Sequence, residues 1–217
     1  MDDSGLTAVS ALTDGVRRAA YREVIAAGGA PVGRDEVAEA LGVGRTLAAH
    51  HLDKLVDAGL LEVTYARRTG RSGPGAGRPA KLYRATAAEH EVSVPPRAYR
   101  TAAELLAEAV ERAGADTALF DAARAHGTAE GAGNDVGALL AAHGYLPSPA
   151  GEGRIELRNC PFHRLAEQFP PLICGMNLAM VRGLLEGSGL DRSWEARMDA
   201  APGRCCVTLA DSKNKSD

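Results

Sequence analysis

The sequence predicts a mainly α-helical protein with small β elements, organised as two domains. Apolar residues recur at helical spacing in residues 14–58, short alternating stretches of strand character follow, and two adjacent prolines mark a boundary near residue 95. We place a first domain at 1–88, a linker at 89–98 and a second, α+β domain at 99–217. A chain of 217 residues is long enough to form two small domains.

The composition excludes several classes of protein. With 45% hydrophobic and 24% charged residues, the chain is typical of a folded protein. No apolar run approaches the roughly 18 residues of a membrane span, and the acidic N-terminus lacks the apolar region of a secretory signal. We therefore expect a cytoplasmic protein with no membrane partner. The abundance of Arg, Ala and Gly is interpreted as the bias of a GC-rich genome, without functional content.

Three helices and a pair of strands account for the first domain. Thr13 or Asp14 caps the first helix, Gly28 ends it, and a turn at Gly42 separates the second helix from the third. The helices are predicted to end near residues 27, 41 and 58, the last two starting at 35 and 45, and the strands cover 60–67 and 80–86. This order is that of a winged helix-turn-helix, in which the third helix fits the major groove of DNA.

The third helix has an apolar face and a polar face. The inward positions, at helical spacing, are Ala48, Leu52, Leu55 and Val56. The opposite face supplies the candidate DNA contacts, which are Arg45, Thr46, Ala49, His50 and, at the flank, Lys54. An arginine at the start of such a helix suits a bidentate contact to guanine or a contact to phosphate, whereas threonine and histidine suit base edges or phosphate.

The segment between the two predicted strands is basic and rich in glycine. Residues 45–84 carry 8 basic and 3 acidic side chains, in a chain whose net charge is −3. A Gly-rich hairpin tip that carries arginine can enter the minor groove. The candidate contacts of this wing are Arg67, Arg68, Arg71, Arg78 and Lys81. The alternative is a solvated surface loop on an unrelated small α/β domain.

Residues 8–86 resemble the DNA-binding domain of bacterial winged-helix regulators of the broad ArsR/DeoR-like group, in the stretches LGVGRTLAAHHLDKLVDAGLLEV and GRPAKLYRAT. The resemblance implies a winged-helix fold, binding to double-stranded DNA and a role in transcription regulation. Two recognition helices one helical turn apart match a palindromic operator, so we expect a homodimer.

The second domain mixes helices with short strands. Helical spacing predicts helices at 99–113, 116–126, 135–143 and 172–185, with a short helical piece near 165–169. Alternation predicts strands at 153–159, 194–198 and 205–209. The sequence carries neither a Gly-x-Ser-x-Gly nor a His-Glu-x-x-His motif, and no other catalytic constellation, so we expect that the protein is not an enzyme.

All four cysteines fall within a 47-residue window of the second domain. In a reducing compartment such a set favours metal or redox chemistry over structural disulfides. A C-x-x-H pair at 160–163 can hold one ion from a single loop, and a cysteine near a helix start, at 174, is favoured as a thiolate. The candidate metal ligands are Cys160, His163, Cys174, Cys205 and Cys206.

Two of these cysteines, Cys205 and Cys206, are adjacent at the predicted start of a strand. Neighbours in a strand point to opposite faces, so we expect only one of the two to be indispensable, in either register. Thiol-rich sites suit an iron–sulfur cluster, zinc or Cu(I). Two alternatives need no metal: a redox thiol switch, and small buried thiols with a packing role only.

The second domain is similar to the SufR-like branch of these regulators in the stretches NCPFHRLAEQFPPLICGMN and GRCCV. The resemblance implies a dimeric repressor that carries an iron–sulfur cluster, with Cys160, Cys174 and either Cys205 or Cys206 as ligands. The sequence departs from that pattern because no cysteine lies between Cys174 and Cys205. His163 or the second vicinal cysteine is left for the fourth position, and zinc remains the alternative to iron.

The predicted function is therefore transcription regulation, with operator binding controlled by a cysteine-bound metal or cluster in the second domain. The rival hypothesis is a thiol enzyme or small-molecule-binding module fused to a DNA-binding domain. A basic side chain beside an activated cysteine would favour that rival, and Arg158 and Arg164 are the nearest candidates in the sequence.

Overall fold

The structure, a computed structural model, describes residues 3–66, 79–151, 153–201 and 203–212. The chain divides into two compact units, Met1–Arg97 and Ala98–Asp217. Helices dominate both units and the strands form small antiparallel sheets, as the sequence predicts. Among the described residues, no helix combines the length and apolar character that crossing a bilayer requires.

The first unit has the predicted order of helices and strands, with two additional elements. Its elements are α1 (Asp3–Ala11), α2 (Gly15–Ala26), β1 (Val32–Gly33), α3 (Arg34–Leu41), α4 (Arg45–Asp57), β2 (Leu61–Ala66) and β3 (Ala80–Ala85). Strand β3 lies between β1 and β2 and pairs antiparallel with both. The sequence analysis missed α1 and β1. Helix α1 contributes Ala8 and Ala11 to the core, and β1 is only two residues long.

Local chemistry explains where the helices of the first unit begin and end. The carboxylate of Asp14 accepts the backbone N–H of Arg17 at 2.8 Å, which caps the start of α2. Gly42 ends α3 in the left-handed conformation, with φ of 65°, which a residue with a side chain adopts only at a cost. The tight turn that follows directs α4 across the core, where Leu52 and Leu55 are completely buried.

The second unit packs helices on one small sheet. Its elements are α5 (Tyr99–Ala113), α6 (Asp116–Glu130), α7 (Val136–Ala142), β4 (Pro147–Pro149), β5 (Arg154–Leu157), α8 (His163–Gln168), α9 (Pro170–Ser188), β6 (Trp194–Met198) and β7 (Val207–Asp211). The strands pair antiparallel in the order β4-β5-β7-β6. The core combines Val181 and Leu184 of α9 with Leu157 and Leu209 of the sheet. The sequence analysis did not identify β4.

Helices α6 and α9 pack with their backbones in contact. Gly127 on α6 and Gly131, the residue directly after this helix, face Gly183 and Gly187 on α9. A Cβ atom added at any of the four would approach backbone atoms of the opposite segment closer than 3.0 Å. The predicted helix at 116–126 is therefore too short. Gly127 does not end α6, which continues to Glu130, because the missing side chain is what allows the two helices to meet. We call these four residues the glycine contact.

Candidate DNA-binding face and cysteine cluster

The exposed side of α4 presents most of the residues that the sequence predicts to contact DNA. Arg45, Thr46, His50 and Lys54 are exposed, and Ala49 is half-buried. On the other side of the helix, Ala48, Leu52 and Leu55 are buried and Val56 is half-buried. One face of α4 is thus packed against the core, and the other face is exposed and free to enter the major groove of DNA.

Each described cation of this face is paired with a carboxylate. Arg45 Nε lies 2.6 Å from Asp35 of α3, and Lys54 Nζ lies 3.2 Å from Asp57 one turn along α4. The paired side chains are roughly half exposed or more, so the pairs contribute at most about 1 kcal/mol each and separate at little cost when a phosphate competes. The acids orient the cations without neutralising the face permanently.

A third pair links the recognition helix to the strand hairpin. The carboxylate of Asp53 accepts hydrogen bonds from Lys81 Nζ at 2.6 Å and from Tyr83 Oη at 2.9 Å. Burial opposes ionisation of Asp53, but the hydrogen bonds from Lys81 and Tyr83 outweigh it and lower the pKa of the carboxyl group. The same hydrogen bond to Asp53 raises the pKa of Lys81. Asp53 was not predicted from the sequence. An acidic residue on the outward face of a helix expected to bind DNA indicated that a basic side chain, here Lys81, lies beside it.

The remaining predicted DNA contacts lie in the Gly-rich stretch between β2 and β3. Arg67, Arg68, Arg71 and Arg78 are outside the described residues. Lys81, the last residue of the predicted wing set, is described and exposed on β3. The strands β2 and β3 themselves pair in full register from Leu61 opposite Ala85 to Ala66 opposite Ala80.

The four cysteines of the second unit come together although they are up to 46 positions apart. Cys160 follows β5, Cys174 lies in the second turn of α9, and the vicinal pair precedes β7. The thiols interact in pairs, Cys160 with Cys205, Cys205 with Cys206, and Cys206 with Cys174. All four are free thiols, Cys205 is buried and the other three are half-buried. We call these four residues the cysteine cluster.

The predicted strand at 205–209 is misplaced, and the argument about the vicinal pair changes with it. Strand β7 begins at Val207, so Cys205 and Cys206 lie in the bend before it, where side chains need not alternate between faces. Cys205 is nevertheless tied to the sheet, because its N–H donates to Leu157 O at 2.7 Å. Both thiols of the pair face the cluster: Cys205 contacts Cys160, and Cys206 contacts Cys174.

The neighbours of Cys205 lower the pKa of its thiol and so favour negative charge on this sulfur. Hydrogen bonds from Cys160 and Cys206 lower the pKa of Cys205 to about 3, against the effect of burial, and the N–H of Val207 and the side-chain amide of Asn177 contribute further. The pKa values of Cys160 and Cys206 are raised, first by the hydrogen bond that each gives to Cys205 and then by burial. These contacts favour ionisation of Cys205 over its two neighbours, and the thiolate is the form of cysteine that binds thiophilic metals.

Two side chains close to the cluster in sequence, those of His163 and Arg158, pair with glutamates. His163 lies on the surface of α8, with Nε2 3.2 Å from Glu167, and its side chain is 67% exposed. Arg158 pairs with Glu156 at 3.1 Å. In the described part of the chain, no three His, Cys, Asp or Glu side chains are already spaced around a point that a metal ion would occupy. The thiols form a chain of pairwise contacts, so binding of an ion would require side-chain rotations.

Two polar residues that sequence reasoning missed complete the surroundings of the cluster. Asn177 of α9 has no exposed surface, and its Nδ2 donates to Cys205 Sγ at 3.1 Å and lies 3.9 Å from Cys160 Sγ. Its Oδ1 accepts the hydroxyl of Tyr145 at 2.5 Å. An asparagine three residues after Cys174, in the apolar first half of α9, was the available signal, because residues i and i+3 share a helix face.

The fold and exposed face of the first unit define a helix-turn-helix DNA-binding domain. Residues 12–64, which span α2, α3, α4 and the start of the hairpin, match the family model of a helix-turn-helix domain. No curated protein and no solved structure matches the chain. The match supports a DNA-binding transcriptional regulator and concerns the first unit only.

Proposed function

We propose that the protein regulates transcription by binding double-stranded DNA through α4, and that a thiophilic metal ion or an iron–sulfur cluster on Cys160, Cys174, Cys205 and Cys206 controls this binding. One observation carries the second half of the proposal: all four cysteines, from three separate segments, meet in one chain of contacts. Packing alone accounts for the burial of Cys160, Cys205 and Cys206 in the apolar core, whereas a shared ligand role also accounts for the contact with Cys174.

The donor set fits the metal chemistry that the sequence resemblance implies. Four sulfurs satisfy the ligand requirement of tetrahedral zinc and of iron–sulfur clusters, so no imidazole is needed from His163. When bound, such a group supplies cross-linking of the three segments and, for iron, a response to oxidants. The chain's own contribution is to lower the pKa of Cys205 through its hydrogen-bonded neighbours and to screen this sulfur from water, since Cys205 is 2% exposed.

Control of DNA binding requires that metal occupancy and operator affinity be linked. Occupancy fixes the bend before β7 against α9, and linkage then demands that DNA changes metal affinity by the same factor that metal changes DNA affinity. We further propose that two copies bind a palindromic operator, because a single α4 reads only a few base pairs.

The metal half is tested by composition. Iron, sulfide and zinc are measured per chain after anaerobic purification of wild type, Cys160→Ser, Cys174→Ser, Cys205→Ser and Cys206→Ser. We expect each serine variant to lose the metal, because all four thiols lie in the cluster. His163→Ala should retain it, since the imidazole lies against Glu167 at the surface. Full loading of Cys174→Ser would overturn the assignment.

The DNA half is tested by selecting duplexes that bind the loaded protein and titrating the enriched sequence with loaded and metal-free protein. We expect affinities that differ at least about 5-fold between the two states, the lower end of usual coupling energies. Equal affinities would refute metal control while leaving DNA binding intact. Random duplex at the same salt concentration is the control.

The wing forms a separate part of this proposal. We propose that Arg67, Arg68, Arg71 and Arg78 contact phosphates or the minor groove, on the strength of a basic, acid-free sequence beside a helix-turn-helix domain. Replacing Arg71 and Arg78 by Ala should weaken binding to all duplexes similarly and reduce the salt slope by about one per lost phosphate contact. An unchanged slope would remove the wing from the interface.

A redox switch is the second candidate, favoured by the direct contact between Cys160 and Cys205. Hydrogen peroxide would take two electrons from the two sulfurs, which form one S–S bond. The O–O bond breaks, and the peroxide oxygens leave as two waters with the protons of the sulfurs and, where Cys205 is ionised, one proton from solvent. Mass spectrometry of alkylated protein after peroxide treatment distinguishes this case. A Cys160–Cys205 disulfide in a protein that purifies without metal, with altered DNA affinity, would replace the metal hypothesis.

A further inference from the structure

Asn177 is the one amide side chain in contact with the cysteine cluster among the described residues. It is fully buried on α9, between the sulfurs on one side and Tyr145 on the other. Both ends of its amide are engaged, because Oδ1 accepts from Tyr145 and Nδ2 faces the sulfurs of Cys205 and Cys160.

The contact with Tyr145 fixes which end of the amide faces the sulfurs. The hydroxyl of Tyr145 donates to Oδ1 of Asn177, so the carbonyl end of the amide lies toward this hydroxyl and the NH2 end lies toward the sulfurs. Turning the amide over would place its oxygen against the sulfur of Cys205, which would lose its N–H donor, and would place the NH2 against the hydroxyl. Tyr145 is itself 1% exposed and immobilised in the core, so it holds this orientation firmly.

We propose that Asn177, oriented by Tyr145, is a positioning residue for metal binding at the cysteine cluster: it aims Cys160 and Cys205 at a common point and disperses their charge. The inference rests on the proposed metal-sensing function. Thiolates that share one cation repel each other, and N–H donors to sulfur reduce that repulsion. The ligand class is a thiophilic cation that takes at least these two sulfurs.

The proposal gives Tyr145 an indirect role, and this makes it testable by a double-mutant cycle. If Tyr145 acts only through the amide, its hydroxyl matters for metal binding in the wild type and not after the amide has been removed. A hydroxyl that merely stabilised the core would have the same effect in both backgrounds. Tyr83→Phe, which removes the hydroxyl of a buried tyrosine in the first unit, is the matched control.

The probe is Co2+ alone, added to anaerobic, reduced, metal-free full-length protein. Sulfur-to-cobalt charge-transfer absorption reports how many thiolates bind, and its titration gives the dissociation constant. We expect Asn177→Leu to weaken Co2+ binding by about 10–100-fold with a shifted charge-transfer band. Tyr145→Phe should weaken binding less, and in the Asn177→Leu background it should have no further effect. Tyr83→Phe should bind as wild type does.

The outcomes separate this inference from the function on which it rests. Absence of Co2+ binding by the wild type would overturn the metal site and this role of Asn177 together. Normal binding by the wild type with unchanged affinity and spectrum in Asn177→Leu would overturn the inference alone, as would a Tyr145→Phe effect that is equal in both backgrounds. If Asn177→Leu does not fold, Asn177→Ser replaces it, and the cobalt-induced shift in melting temperature corrects for differences in stability.

Discussion

The two units of the protein bring their helices together by different means. In the first unit, branched and aromatic side chains fill the space between helices, and Val24, Leu52, Leu55 and Tyr83 are almost or completely inaccessible. In the second unit, α6 and α9 meet at the glycine contact, where backbone faces backbone. The difference shows that an apolar stripe is only one of the patterns that pack helices, and that glycines four residues apart are another.

The candidate functional residues of the two units differ in their burial. Those of the first unit are exposed cations in surface ion pairs, and those of the second are largely buried thiols in hydrogen-bonded contact. Substitutions on the DNA-binding face should therefore change binding while the fold stays intact. Substitutions in the glycine contact should change the fold itself.

The largest effect is expected for Gly183→Leu. Even a Cβ atom at this position would lie within 3.0 Å of Thr128 N and closer still to Arg124 O, and neither is a side chain that can rotate away. We expect a loss of more than about 4 kcal/mol in the free energy of unfolding of the second unit, beyond ordinary overpacking. The emission of Trp194, the only tryptophan of the chain, reports this unit during urea unfolding.

Gly15→Leu is the matched control. This glycine is also at a helical position, at the start of α2, but a Cβ atom there meets nothing within 4 Å. Its effect should stay within about 0.5 kcal/mol. Because Gly15 lies in the first unit, circular dichroism follows the unfolding of this variant. A loss similar to that of Gly183→Leu would mean that leucine at a helical glycine is costly even without a clash, and that the glycine contact is not the cause.

The counterpart in the first unit is Leu52→Ala. Deleting a completely buried leucine leaves a cavity, and we expect a loss of about 2–5 kcal/mol in the free energy of unfolding. Leu47→Ala, at a position of the same helix that is 44% exposed, should cost far less. Circular dichroism detects the change, while the Trp194 transition should stay where it is. A shifted Trp194 transition would show that the two units unfold together.

A smaller effect is expected on the DNA-binding face. Arg45→Ala should cost about 1–3 kcal/mol on the selected operator if this guanidinium reads a guanine, and less on random duplex. Asp35→Ala removes its ion-pair partner and should leave binding equal or tighter, because the cation no longer has to be released. Arg22→Ala, an exposed arginine of α2, serves as the control. Equal losses on both duplexes would reassign Arg45 to a phosphate contact.

The smallest effect concerns the pH dependence of the Asp53 pair. The pKa of Asp53 is lower in the folded state than its ordinary value of 3.8, so ionised Asp53 stabilises the fold fully when the pH is above 3.8. This contribution is lost as the pH falls through the pKa of the folded state. The stability difference between wild type and Asp53→Asn should thus be constant from pH 5 to 7, below about 1 kcal/mol, and shrink below about pH 4. Asp57→Asn is the control. A difference that grows on acidification would have the wrong sign.

The sequence predicted the first unit well because its information is local. Helix starts and ends follow from Asp14, Gly42 and Gly44, and the inward positions of α4 follow from one apolar stripe. The predicted helix at 116–126 stops just before Gly127, whereas α6 continues to Glu130, and the abundance of glycine was interpreted as genome bias. The packing role of a glycine on α6 cannot be predicted until the glycines of α9 that face it, some 55 residues later, are known.

The cysteine cluster was predicted in membership but not in arrangement. Residue type and spacing identify Cys160, Cys174, Cys205 and Cys206 as candidates, and the sheet and α9 determine which of them touch. A start of β7 two residues later than predicted is enough to turn both vicinal thiols toward the cluster. Asn177 escaped notice because its importance depends entirely on contacts across the fold.

The glycine contact also has a mechanical consequence. Side chains between helices can change rotamer and so absorb a small displacement, whereas two backbones in contact have no such slack. Helix α9 carries Cys174 and Asn177 near one end and Gly183 and Gly187 near the other. A shift of α9 by a fraction of an ångström at the cysteines is therefore expected to move α6 by the same amount. The two helices should behave as one rigid body.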